Sequence, residues 1–226
     1  NYLEFGKTNA TMITSRGCPN QCTFCSAHLS TGYKYRPHSL DYVLGEIQLL
    51  IERYNAEFIL FWDDTFTINK KRVMELCEAI LDRKLKFNWF CLARVNTLDE
   101  EMLSIMKRAG LRAINCGVES GNQDILNNIR KGTSLEQIRR AYKIARKLKL
   151  KTLASFMFGL PGETKETIQN TIDFAVELDP DMAFFFILTP FPGSAIYGEY
   201  KDKLFNVSEN WSDFKYVLTD GTIALE

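Results

Sequence analysis

From residue 11 onward the chain alternates short runs rich in β-branched and aromatic residues with longer stretches whose apolar positions recur every third or fourth residue, a unit of roughly 30 residues that fits repeated βα pairs. TMITS, residues 11–15, is the first predicted strand. A helix is predicted from near Ser39, with Val43, Ile47, Leu50, Ile51 and Tyr54 on one face. EFILFW (57–62) is the second strand, and the next helix runs from about Lys70 to Leu81 with Val73, Leu76, Cys77, Ile80 and Leu81 in one stripe. FNWFCLARV (87–95) supplies the third strand, and Thr97 with Glu100 has the spacing of a capping box for a helix carrying Leu103 and Met106 and stopping at Gly110. RAINCGV (112–118) is the fourth strand. Thr133 with Glu136 repeats the capping pattern for a helix whose Ile138, Ala141, Tyr142, Ala145 and Leu148 share a face. TLASFMF (152–158) is the fifth strand. Thr164 opens the last helix, with Ile168, Ile172, Ala175 and Val176 inward, before Pro180 and a very apolar sixth strand, AFFFILT (183–189).

Six strands each followed by a helix, save the last, imply right-handed crossovers and a parallel sheet, either doubly wound or curved like a barrel. Both place functional loops beyond the carboxyl ends of the strands. The unusual residues fall there: the cysteine cluster after strand one, WDDTF after strand two, Arg94 closing strand three, and GVESG, GLPGET and TPFPGS after strands four to six. Single glycine- and proline-rich loops are ordinary turn chemistry, but six in register point to one shared site.

The cysteine loop, SRGCPNQCTFCSAH, carries Cys18, Cys22 and Cys25 at a C-x3-C-x2-C spacing. Three thiolates are one short of a closed tetrahedral zinc site, and they suit a cube-shaped iron-sulfur cluster that keeps one iron open for a small ligand. Zinc is the competing reading, with His28 as a fourth ligand. Cys77, Cys91 and Cys116 lie in periodic segments and read as buried core, and the set does not form a secreted disulfide framework.

With its aromatic residue before the third cysteine, CPNQCTFC resembles the signature of the radical S-adenosylmethionine (radical SAM) enzymes, and the likeness of loop and context extends over nearly the whole chain. The resemblance implies an α/β fold, a partial (βα)6 TIM-like barrel with parallel strands, in which Cys18, Cys22 and Cys25 bind a [4Fe-4S] cluster. The fourth iron would chelate the amino and carboxylate groups of SAM. Electron delivery would split the sulfonium into methionine and a 5′-deoxyadenosyl radical that takes hydrogen from substrate. Phe24 is expected near the adenine. Where family members often carry Gly-Gly-Glu after strand two, this chain has Trp62-Asp63-Asp64, so either Asp63 or Asp64 contacts the SAM amino group or caps the next helix. Arg94, facing inward with Phe90 and Leu92 while Cys91 and Ala93 face the helices, is assigned to the SAM carboxylate or to a structural ion pair. Glu119 and Ser120 are assigned to the ribose hydroxyls and Ser155 to a further SAM contact. Leu188 to Phe191 would flank the adenine, while Gly159, Pro161 and Gly162 shape a turn.

FWDDTFTINKKR, RVNTLDEEML, GVESGNQDIL, FMFGLPGET and TPFPGSAIY resemble the branch in which this core follows a cobalamin-binding domain, as in methylases and the anaerobic ring-forming cyclase of chlorophyll synthesis. A methylthiotransferase core is a neighbouring alternative, and a zinc-stapled binding domain without catalysis is the alternative from a different class. Residues 1–226 are expected to form one radical SAM core. The chain carries no Asp-x-His-x-x-Gly motif, so cobalamin would depend on an amino-terminal domain, and the start without Met and the strand-like end KYVLTDGTIALE predict a piece of a longer protein. The charge balance, 28 Lys and Arg against 28 Asp and Glu, predicts no direct nucleic-acid binding. No apolar run is long enough to span a bilayer, and the chain is expected to be cytoplasmic. The expected partners are a small-molecule substrate and a reduced electron donor such as a flavodoxin or ferredoxin. NWSDF (210–214) is a candidate for closing the open side of the barrel.

Overall fold

The computed structural model describes residues 8–201. The main sheet has six parallel strands: β1 (Asn9–Met12), β4 (Phe58–Phe61), β5 (Asn88–Ala93), β6 (Leu111–Glu119), β7 (Lys151–Phe158) and β8 (Met182–Ile187), paired in that order. Between the first two, β2 (Ser15–Arg16) and β3 (Arg36–Pro37) form a short antiparallel ribbon at the base of the cysteine loop. The sequential order decides between the two predicted architectures, because a doubly wound sheet reverses its strand order at a switch point and this one does not. With right-handed crossovers all in one direction, every helix lands on the same face, and the sheet takes the partial barrel form.

The covering helices are α2 (Leu40–Tyr54), α3 (Lys70–Asp82), α4 (Glu100–Arg108), α6 (Leu135–Lys147) and α7 (Lys165–Leu178). Strand alternation sorts the two faces. Cys91, Ala93, Ile114 and Cys116 join the large core under the helices, with Cys77 of α3, while Phe58, Phe90, Ala113 and Leu153 form a separate inner cluster on the concave face with Leu60, Leu92 and Met182 against it. Trp89 anchors the outer layer: it is fully buried, packs against Phe61 and Phe66, and donates Nε1–H to Ala109 O at 2.8 Å.

Several local expectations change. Asp99 caps α4, accepting from Met102 N at 2.9 Å, and Thr97 instead lies in a short 3-10 turn with its hydroxyl bonded to Arg94 O. The capping box of α6 is Ser134 with Gln137, one residue beyond Thr133 and Glu136. Thr164 caps α7 as predicted, but the buried face is Thr171, Phe174, Ala175 and Leu178, with Val176 and Ile172 exposed. Periodicity admits either stripe there, and packing selects the one carrying Phe174. In α2, Leu44 is buried and Tyr54 exposed, since the helix ends at Asn55 in a left-handed C-cap. The apolar β8 is an edge strand with Phe184 and Phe185 exposed. The short helices α1 (His28–Thr31), α5 (Gln123–Asn128) and α8 (Ala195–Tyr200) were not predicted. NWSDF lies outside the described residues. Among the described residues, no helix is long and apolar enough to cross a membrane.

Burial alone would push the Asp99 carboxyl up, but hydrogen bonds from Lys70 and from the backbone of Met102 outweigh it and hold the group below its ordinary value. Asp99→Ala is expected to cost about 1 kcal/mol in urea denaturation at pH 7. Because the folded carboxyl is depressed, this contribution is present above its unfolded value and fades as pH falls through the folded one, so variant and wild type should converge in acid.

Candidate metal centre

The cysteine loop leaves β2 through Gly17, whose φ of 90° lies in the left-handed region and whose missing Cβ leaves room for the Lys34 carbonyl. Gly17 N donates to Asp64 Oδ2 at 3.0 Å, and Cys18 N donates to Gly32 O at 3.2 Å. Further on, Thr23 N donates to Ile129 O and Thr23 O accepts from Ile196 N, each at 3.0 Å, so the loop is clamped between the end of α5 and the start of α8. Cys18, Cys22 and Cys25 all line a cavity of about 250 Å³ at the carboxyl ends of the strands. Burial first, and then the sulfurs of Cys22 and Cys18, push the Cys25 thiol up, against a backbone hydrogen bond at Ala27 and the charge of Lys131.

The same cavity is lined by Asp64, Arg94, Glu119 and Ser155. A second cavity of about 340 Å³ shares Phe24, Cys25, Glu119 and Ser155 with the first and adds Met157, Phe186, Leu188 and Phe191, so the two form one cleft, with its charged side chains gathered beside the cysteines and apolar residues toward β8. Two predicted contacts fall outside it. Asp63 is fully buried and its carboxylate is taken by Thr14 N, Thr14 Oγ1 and Ser15 Oγ, which makes it a brace between the first two main strands. Ser120 is also fully buried, bonded to Thr171 Oγ1 at 3.1 Å and accepting from Asn122 N, and ties β6 to α7. Of the two aspartates, only Asp64 reaches the cleft.

Arg94 is 7% exposed and points inward as predicted, with Phe90 and Leu92 on its side of the strand. Nη2 donates to the Lys131 carbonyl, Nη1 lies 3.5 Å from Cys22 Sγ, and Nε is buried with no hydrogen-bond partner among the described residues. The alternative reading of Arg94, a structural ion pair, has no counterpart among the described residues. The buried pair of the site is instead Lys131 with Glu119, Nζ to Oε1 at 2.6 Å. Lys131 Nζ also stands 5.8 Å from the centroid of the Phe24 ring. Gly117 makes the pair possible, since a Cβ there would collide with the Glu119 carboxylate and sit 2.7 Å from Lys131 Nζ. A β-bulge between Gly117 and Glu119 and a φ of 68° at Glu119 place the carboxylate, at a backbone cost of about 1–3 kcal/mol that the pair helps to offset.

Sequence reasoning missed Lys131 because a lysine before Gly132 in a loop reads as solvated, and its burial exists only once α5 folds back beside β6. It also passed over Asn20, although its amide lies between the cysteines and donates to Cys18 Sγ at 3.1 Å. His28 lines the cavity but stacks on Tyr33, ring centroids 4.7 Å apart. Among the described residues no three His, Cys, Asp or Glu side chains are gathered tightly enough for a single metal ion. A cubane accepts one thiolate per iron, so thiolates spread along a cavity wall suit it better than they suit zinc.

Residues 12–175 match the family model of the Radical SAM superfamily. An uncharacterized methyltransferase of Pyrococcus horikoshii is 38% identical over 225 residues, covering 100% of this chain and 49% of that protein. The anaerobic magnesium-protoporphyrin IX monomethyl ester cyclase of Rubrivivax gelatinosus is 33% identical over 205 residues, 90% of this chain and 37% of that one. The chain therefore spans about half the length of the first relative and less of the second. Among solved structures, the radical S-adenosylmethionine methyltransferase TsrM from Kitasatospora setae, with cobalamin and a [4Fe-4S] cluster bound, has a TM-score of 0.81 at 22% identity, covering 89% of this chain and 38% of that one. At that identity the likeness is one of fold.

Two outcomes test this geometry. Glu119→Gln and Lys131→Met should each cost about 3–5 kcal/mol in chemical denaturation, because each leaves a buried charge unpaired, and the double variant should cost clearly less than their sum. In metal-free native protein, iodoacetamide should modify Cys18, Cys22 and Cys25. Cys77 and Cys116 should need denaturant, being buried with thiols pushed up to about 12, and so should Cys91, whose burial pushes it well above its ordinary value.

Proposed function

The chain belongs to the radical SAM superfamily, and from that premise we propose that it is the catalytic core of a cobalamin-dependent radical SAM methylase or cyclase. The observation that carries the reading is the convergence of three cysteines from one loop on a cavity continuous with an apolar cleft lined by polar groups of the right kinds. When bound, a [4Fe-4S] cluster held by Cys18, Cys22 and Cys25 supplies the electron that cleaves SAM to a 5′-deoxyadenosyl radical.

The chain's own residues bind and orient. Asp64, with one carboxylate oxygen engaged by Gly17 N, keeps acceptor capacity for an ammonium group. Glu119 gives one oxygen to Lys131 and has the other for ribose hydroxyls. Arg94 brings its guanidinium to the cavity lining, and its five N–H groups exceed the two bonds it makes, which supports a ligand carboxylate as its partner. Ser155 offers a hydroxyl where the two cavities join, and Phe24, Leu188 and Phe191 supply apolar wall for a purine. The substrate, a small molecule, would approach from the β8 side, where the apolar residues of the cleft lie.

Residues 1–226 are read as the core alone, with cobalamin held by a domain amino-terminal to it and a carboxy-terminal extension following; the relatives are longer than this chain, which leaves room for both. A reduced flavodoxin or ferredoxin in the cytoplasm would donate the electron. The test is anaerobic reconstitution of the full-length protein with iron and sulfide, followed by electron paramagnetic resonance with and without SAM and an assay for 5′-deoxyadenosine after dithionite. A [4Fe-4S] signal perturbed by SAM, lost on substituting any of Cys18, Cys22 or Cys25 and retained in Cys77→Ala, is expected. One tightly held zinc per chain and no cluster would sink the reading.

A further inference from the structure

Two of the three cysteine sulfurs each face an N–H donor. Asn20 Nδ2 donates to Cys18 Sγ at 3.1 Å and Arg94 Nη1 to Cys22 Sγ at 3.5 Å. Thr65 is no third donor. Its hydroxyl lies 3.8 Å from Cys18 Sγ, but its single proton is used on the Asp64 carbonyl at 2.7 Å. The donors come from two places: the cysteine loop itself and the end of β5. Arg94 is held in place independently by its bond to the Lys131 carbonyl, so its reach to Cys22 is fixed by the fold and not by a free rotor.

We propose that Asn20 and Arg94 are positioning residues that set the reduction potential of the cluster by donating N–H···S hydrogen bonds to Cys18 and Cys22. The inference rests on the cluster assignment made above. One-electron reduction adds a unit of negative charge to a group whose thiolates already carry charge. Donors aimed at the sulfurs, and the guanidinium charge beside them, favour the reduced state and raise its potential. No bond is made or broken and no proton moves in this step, and the electron comes from an external low-potential one-electron reductant. Arg94 is the stronger donor because its hydrogen bond is charge-assisted and nearly dry, whereas the amide of Asn20 is neutral.

The experiment is a dithionite titration at controlled potential, followed by electron paramagnetic resonance, on full-length reconstituted protein without SAM. Iron and sulfide content and far-ultraviolet circular dichroism are measured alongside. Asn20→Ala should shift the midpoint downward with cluster content unchanged, and Asn20→Asp, which places an acceptor where a donor stood, should shift it further. Arg94→Met should lower it more than Asn20→Ala does, and Arg94→Lys should recover part of that shift by restoring the charge. Should Arg94→Met fail to fold, the two Asn20 variants decide alone, since the Asn20 side chain makes no other hydrogen bond among the described residues. Fully loaded variants with wild-type midpoints would overturn the donor role while leaving the cluster assignment standing. Wild type that takes up no iron and sulfide would overturn the cluster assignment, and the donor role with it.

Discussion

A parallel sheet whose strands follow one another in chain order, with helical crossovers of one hand, must put all its helices on one side. Everything else in this protein follows from that constraint. The covered side becomes the large core, with Trp89 at its centre, and the other side becomes a concave wall whose lower part is closed by Phe58, Phe90, Ala113 and Leu153. The carboxyl ends of six strands then open toward a common rim. Loops separated by more than a hundred residues, such as those carrying Cys18 and Leu188, line adjoining parts of one cleft without any direct sequence relation.

At that rim the structure spends buried charge to gain position. Arg94, Lys131 and Glu119 are all nearly excluded from solvent, an arrangement that is costly unless each charge is engaged. Glu119 and Lys131 engage each other, and Arg94 takes the backbone carbonyl of that same lysine. The chain accommodates them through three backbone devices: the glycine at 117, the bulge beyond it, and the left-handed conformation of Glu119. The result links β5, β6 and the turn after α5 to the cysteine loop through Cys22 and Phe24. The cavity lining sets two buried cations, Arg94 and Lys131, against two carboxylates, Asp64 and Glu119, so its formal charge is balanced before any thiolate is counted.

The cleft is largely apolar, with its charged side chains, Asp64, Arg94, Glu119 and Lys131, gathered at the cysteine end and Phe186, Leu188 and Phe191 at the other. This arrangement fits a ligand with a charged end and an aromatic one. It also separates the residues that brace the fold from those that face the cleft. Asp63 and Ser120, one position away from Asp64 and Glu119 respectively, are fully buried and wholly committed to neighbouring strands and helices.

The sequence by itself determined the number and order of the βα units, the parallel sheet, the inward set at Phe90, Leu92 and Arg94, and the cysteine loop, because alternation, helical periodicity and C-x3-C-x2-C spacing are all local patterns. It placed the caps of α2 and α7 on Ser39 and Thr164, but those of α4 and α6 only to within a residue or two, since Thr97, Asp99, Thr133 and Ser134 each carry an oxygen able to cap and geometry alone selects Asp99 and Ser134. Only the tertiary structure decided which of two adjacent residues reaches the cleft, because a neighbour's hydrogen-bond donors settle that choice. It likewise decided that Arg94 points its Nη atoms at a carbonyl and a sulfur, and that Lys131 is buried at all. Those facts depend on segments distant in the chain meeting at the rim, and burial of a charge is a property of what surrounds it.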